Sequence, residues 1–281
     1  MDDGTAVTGY YGKAVSKERA EINTDGSCDI IKKADADFIL LQEVDEDSDR
    51  AWHVRQKDII AERFSEYGNT FAVNFHSAYL FYPFHDPHGK NVSGLMTLSR
   101  FKITEAVRRQ YPVDDGFAKF FDLDRCFSVH RIPLESGKTL TLINSHMSAY
   151  DEGGIIRKQQ LALLNTVLEA ERESGNYIIV GGDFNHDIAN SADLFPSKQQ
   201  YPSWVHTLTD EDLADGFSFA AATNAPTCRA AEIPYEEGVN YTIVVDGFIV
   251  SENVTVHSVV NLNEAFRYSD HNPVFMEFSL N

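Results

Sequence analysis

Residues 177–186 read Tyr177-Ile178-Ile179-Val180-Gly181-Gly182-Asp183-Phe184-Asn185-His186, and the architecture turns on this stretch. Four apolar residues in an unbroken row describe a strand covered on both faces. The two glycines permit a tight turn and close backbone approach, so Asp183 and Asn185 can point into one cavity. There the carboxylate can orient a water or hold a metal, and the amide can donate to an anionic oxygen. An Asx turn that caps the next segment is the plainer reading of the same residues.

Working outward, residues 155–172 follow a Gly153-Gly154 break and predict the strongest helix, with Ile156, Gln160, Leu163, Leu164, Val167 and Leu168 near one face. Residues 139–146 alternate as a strand that ends at His146. Phe38-Ile39-Leu40-Leu41 reads as a buried strand ending at Gln42-Glu43. Helices are expected over 17–35, interrupted by Gly26, and over about 52–66. Further strands fall near 71–75, 95–98, 243–250 and 274–278. Several strands follow one another directly, 125–133 with 139–146 and 243–250 with 254–260, which favours mixed or antiparallel pairing over a doubly wound parallel sheet. Two packed sheets with helices outside account for this pattern. No repeat or linker divides the chain, so one domain over residues 1–281 is expected.

The chain carries 43 acidic against 24 basic residues, a formal charge of −19. That balance argues against a dedicated nucleic-acid binder, whose footprint is basic, but leaves phosphate chemistry open because a bound cation reverses the local sign. Cys28, Cys126 and Cys228 are widely spaced with no CxxC pair, which argues against a disulfide framework or a zinc site. No cationic start with an apolar block, and no membrane-length apolar run, occurs in the chain. The compartment is undecided by it.

The acids, amides and histidines cluster at strand ends, which is what a hard-cation site acting on a phosphate ester requires. Glu43 ends the 38–41 strand and reads as a metal ligand or as a strand-end acid in a surface ion pair. Asp246 lies within the apolar stretch 243–250, where a buried acid needs a partner. His271 suits that role, since the acid would set its tautomer and stabilise its cationic form. Asp270 and His271 are adjacent and can serve different partners, one a metal and the other a phosphate oxygen. His146 can donate to a phosphate oxygen or leaving group. The His85-Asp86-Pro87-His88 tract lies in a loop without strand context and is set aside. The aromatic run 79–84 is a core strand with its turn, or a rim that stacks on a base or dips into a lipid surface.

Taken in order, LLQEVD at Leu40–Asp45, NSHMSAY at Asn144–Tyr150 with Arg157-Lys158-Gln159-Gln160 after it, VGGDFNHD at Val180–Asp187, VVDGFIVS at Val244–Ser251 and YSDHNPV at Tyr268–Val274 resemble the endonuclease/exonuclease/phosphatase superfamily. The resemblance implies a four-layer α/β/β/α sandwich of two mixed, mainly antiparallel sheets with helices outside. It implies a Mg²⁺- or Mn²⁺-dependent phosphoesterase, with Glu43 the principal metal ligand and Asp270 completing the metal or phosphate environment. Asp183 would activate water, Asn185 bind the scissile phosphate, His146 assist the leaving group, and Asp246 pair with His271. Members of the superfamily begin with a strand carrying an active-site asparagine. Nothing before Glu43 reads that way, since Gly9-Tyr10-Tyr11-Gly12-Lys13 is polar and glycine-rich. The expectation is a chain that starts after that strand, with a central sheet position unfilled. The substrate is a phosphate ester, with nucleic acid, phospholipid and small esters all open, and a membrane surface is a possible partner. A catalytically silent binding module on the same fold is the alternative.

Overall fold

The computed structural model describes residues 13–80, 89–113, 124–149, 155–200 and 205–281. Helix α1 (Lys17–Ala34) starts where the Ser16 hydroxyl accepts from the Arg19 amide at 3.1 Å, and ends at Asp35, whose φ of 48° turns the chain. Gly26 does not interrupt it. A Cβ there would sit 2.6 Å from the Tyr268 ring, so the absent side chain makes room for the C-terminal segment.

Strands β1 (Phe38–Ser48), β2 (Gly68–Leu80) and β3 (Gly89–Ser99) form an antiparallel sheet in the order β1-β3-β2. Between β1 and β2, helix α2 (Gln56–Arg63) is shorter than the helix expected from 52 onward. Trp52 and His53 both adopt positive φ, 53° and 58°, which an α-helix cannot accommodate. Ile39, Ile60, Phe64, Met96 and Leu98 pack this sheet against α1 and α2.

The larger sheet has the order β4-β5-β6-β7-β11-β8. Its members are β4 (Glu105–Gln110), β5 (Cys126–Pro133), β6 (Thr139–His146), β7 (Tyr177–Asp183), β8 (Phe217–Ala220) and β11 (Asp246–Ser251). All neighbours are antiparallel except β6 and β7, which helix α3 (Ile155–Glu173) joins as a crossover. Leu161, Leu164 and Leu168 of α3 cover Ile143, Ile178 and Val180 on one face. The other face, with Leu140, Leu142 and Ile179, meets Phe38 and Leu40 of β1. The layers therefore run helix, sheet, sheet, helix.

Two short pairs complete the fold. β9 (Cys228–Arg229) pairs with β10 (Thr242–Ile243), and β12 (Val254–Asn261) with β13 (Val274–Leu280). The strand expected over 243–250 thus begins only at Asp246, because residues 242–243 turn aside to pair with β9. The three cysteines are free, and Cys126 is fully buried. Most of the aromatic run 79–84 and the His85–His88 tract lie outside the described residues. No helix among the described residues is long and apolar enough to cross a membrane.

Candidate active site

Strand register assembles the site. β6 and β7 pair His146 with Asp183, and β7 and β11 pair Asp183 with Asp246, so three neighbouring strands end side by side on polar residues. The glycines before Asp183 act by close approach rather than by a turn, since β7 continues through them. A Cβ on Gly182 would lie 2.0 Å from the Ser145 carbonyl oxygen, and one on Gly181 would lie 2.6 Å from Leu40 of the facing sheet. The turn comes at Asn185, whose φ of 51° is one that asparagine tolerates. Its backbone N–H donates to Asp183 Oδ1 at 2.7 Å, and its side-chain amide donates to the Met147 carbonyl at 2.8 Å and Asp183 Oδ2 at 3.2 Å.

His271 reaches the group from the segment before β13. Its Nδ1 lies 2.8 Å from Asp246 Oδ2, the expected pairing, and its Nε2 lies 3.9 Å from Asp183 Oδ2. His146 Nε2 is 3.4 Å from the same Asp183 oxygen and 3.9 Å from Glu43 Oε1. Glu43 is the contribution of the other sheet. It sits at a bulge between Leu41 and Val44 with φ 54°, a conformation uncommon for glutamate that aims the side chain away from the regular pleat. Asp270 joins Glu43, Asp183, Asp246 and His271 in lining a single cavity.

The groups tune one another. Burial, reinforced by the Asp246 charge, raises Asp183 to about 7. Burial opposes charge on His271 as well, but Asp246 outweighs it and holds the imidazole well above its ordinary range. Burial and the Arg125 charge push His146 well below that range, so it is neutral. For Glu43, burial is outweighed by Arg50 and its neighbouring cations, which keep the carboxyl ionised. Ligand atoms of Asp183, Asp246 and His271 lie within 4.8 Å of one another; with His271 held cationic, it is the two carboxylates of that group that can face an ion. Glu43 and Asp270, the metal pair expected from sequence, lie outside that group but line the same cavity.

Three residues that no motif marked belong to the same group. Arg125 Nη1 lies 2.8 Å from His146 Nδ1, and Asn74 Nδ2 lies 3.0 Å from the same atom. Arg50 bridges Glu43 at 3.0 Å and Asp45 at 3.1 Å. Arg125 had the one available signal, a lone cation immediately before the apolar run of β5. The carboxylates of Glu43, Asp183 and Asp246, a cationic and a neutral imidazole and the guanidiniums of Arg50 and Arg125, gathered at one rim, can bind an anion, hold a divalent cation and accept a proton from water.

The sequence model of the family described as "Endonuclease/Exonuclease/phosphatase family" matches residues 16–271. No curated protein sequence matches the chain. Among solved structures, an endonuclease/exonuclease/phosphatase family protein from Leptotrichia buccalis C-1013-b shares 16% identity over 96% of this chain and 97% of its own, with a TM-score of 0.64. The endonuclease/exonuclease/phosphatase of Beutenbergia cavernae shares 16% over 99% of this chain and 69% of its own, with a TM-score of 0.63. The human nocturnin catalytic domain with bound sulfate anion shares 16% over 99% of this chain and 92% of its own, with a TM-score of 0.62. At such identities the likeness is one of fold.

Proposed function

The chain belongs to the endonuclease/exonuclease/phosphatase family, and from that premise we propose that it is a divalent-metal-dependent phosphoesterase that cleaves its substrate by in-line attack of water. The observation that carries the reading is the convergence of His146, Asp183 and Asp246 at three adjacent strand ends, with His271 and Glu43 closing over them.

The donor set fits a hard cation, since Glu43, Asp183, Asp246 and Asp270 offer carboxylate oxygens around one cavity. A Mg²⁺ or Mn²⁺ ion held there would neutralise charge building on the phosphoryl oxygens. Asp183, held by Asn185 and raised toward neutrality, orients the attacking water and takes its proton. Cationic His271, fixed by Asp246, donates to a phosphoryl oxygen, and Asn185 binds the scissile phosphate beside it. His146, held by Arg125 and Asn74, stands near the leaving group.

Hydrolysis of bis-p-nitrophenyl phosphate and of p-nitrophenyl phosphate, each with Mg²⁺ or Mn²⁺ and then with chelator, tests the reading and separates diesterase from monoesterase. Asp183→Ala and His271→Ala should each lower turnover by at least about a hundredfold while the circular dichroism spectrum is kept. Preserved turnover in either variant removes the assignment. One observation favours the rival, a silent binding module: Arg50 already occupies a Glu43 oxygen at 3.0 Å. Absence of metal-dependent hydrolysis with all three phosphate-ester classes, nucleic acid, phospholipid and small ester, would decide for it.

A further inference from the structure

Asp246 and His271 stand 25 residues apart in the chain, so their pairing requires that two separate segments be held together. Asp246 opens β11, which among the described residues pairs only with β7 and β8. His271 belongs to the segment that leads into β13, whose strand partner there is β12. Between the two lies the short stretch Pro226-Thr227-Cys228-Arg229, bonded to both sides. Toward β11, the Thr227 hydroxyl oxygen accepts the backbone N–H groups of Val245 at 3.0 Å and Asp246 at 3.1 Å. Toward His271, the Thr227 carbonyl accepts the Asn272 N–H at 2.7 Å, and the Pro226 carbonyl accepts from the Asn272 side chain at 3.0 Å. Cys228 and His271 face each other as an antiparallel bridge, and the Arg229 N–H donates to the Asp270 carbonyl at 3.1 Å. Thr227 is fully buried and lies behind the pair, outside the residues that line the cavity.

We infer that Thr227 is a positioning residue of the hydrolytic site: its hydroxyl fixes the backbone of Asp246, its carbonyl fixes the residue after His271, and together they set the distance at which carboxylate and imidazole pair. The carbonyl half of this brace is common to every residue type, so the hydroxyl is the part that a substitution removes. Its oxygen has the two lone pairs that two successive N–H groups need. The β-branch restricts χ1 and keeps that oxygen aimed at them. Valine has the same outline and no acceptor. In its presence two buried donors lose their partner, and residues 245–246 turn to find another. The Asp246 carboxylate turns with them, away from His271 Nδ1, from which it now lies 2.8 Å. A plain fold anchor would lower stability alone, whereas a brace on this pair acts on turnover through His271. For its effect on turnover the inference rests on the phosphoesterase reading, but the pairing itself is observable without turnover.

The experiment compares Thr227→Val with Thr227→Ser in the full chain. Nuclear magnetic resonance of the imidazole groups follows the His271 Nδ1 proton, whose resonance the Asp246 carboxylate draws downfield. That resonance should be displaced or lost in Thr227→Val and kept in Thr227→Ser, with the amide spectrum of distant residues unchanged in both. With bis-p-nitrophenyl phosphate and Mg²⁺, Thr227→Val should lower kcat about tenfold or more while KM changes less than about twofold, and Thr227→Ser should retain most of the parent rate. On a His271→Ala background the valine substitution should change kcat less than about twofold, because the group it acts through is gone. An undisplaced Nδ1 resonance in Thr227→Val overturns the inference, and so does an equal loss of kcat with and without His271. Should Thr227→Val fail to fold, Thr227→Cys, with a similar volume and a weakly accepting sulfur, carries the same comparison. Absence of hydrolysis in the parent chain would sink the phosphoesterase reading and leave the resonance to decide this one.

Discussion

His130 shows how completely surroundings set a side chain's chemistry. It is fully buried, with Nδ1 3.1 Å from the Leu142 carbonyl and Nε2 2.8 Å from the Thr70 hydroxyl. Burial, only partly offset by that carbonyl, lowers its pKa from 6.5 to about 4. The unfolded chain takes up this proton near 6.5 and the folded chain only near 4, so stability is retained above the first value and lost progressively between them. The loss attributable to this histidine is roughly 2–3 kcal/mol by pH 4. His130→Gln should flatten the slope of unfolding free energy against pH in that window, measured by urea denaturation at successive pH values; an unchanged slope would exclude His130 as its source. At this scale the Asp246 and His271 pairing was legible, because an acid in an apolar stretch has few ways to be satisfied. Arg50, Arg125 and Asn74 were not. A lone arginine or asparagine carries no local mark of what it will touch, and the place of Arg125 before an apolar run told only that it stands at the start of a strand.

Among the elements, the β6 and β7 pair is the one on which the site depends. Parallel neighbours must be joined by a crossover, and α3 supplies it, tied at its first turns by Gln160, which accepts from the Ser148 amide at 3.0 Å and donates to the Pro112 carbonyl at 2.8 Å. Gly182 lets the two strands close, with its would-be Cβ 2.0 Å from a backbone oxygen that no rotamer change can move. Gly182→Ala should therefore cost about 2 kcal/mol or more in chemical denaturation. It should also lower activity out of proportion to the loss of folded protein, because His146 and Asp183 part together. A variant as stable and active as the parent would show that the register tolerates the shift. Strand cores were readable from apolar runs and alternation, and their limits were not. β1 runs on past its apolar start to Ser48 through a bulge, and β11 starts late, each because a partner strand decides where pairing stops.

Over the whole molecule, a charge of −19 surrounds a site proposed to take an anion. Approach of a polyanionic ester is then opposed by the long-range field even though the groups at the rim attract it. Raising ionic strength from about 0.01 to 0.15 M shortens the screening length from about 30 to 8 Å. The expected result is a several-fold rise in kcat/KM for a multiply charged ester and little change for a singly charged one, read from initial rates at saturating metal; a fall for the multiply charged ester would mean that cations near the site, Arg125 among them, govern the encounter. The sequence by itself determined the family, the two-sheet plan, and the acids and histidines at strand ends, because apolar period and short motifs are properties of neighbours along the chain. The tertiary structure alone decided which cations brace those acids and where each strand stops. Those depend on residues brought together from distant parts of the chain, and packing between layers leaves no period in the sequence to read.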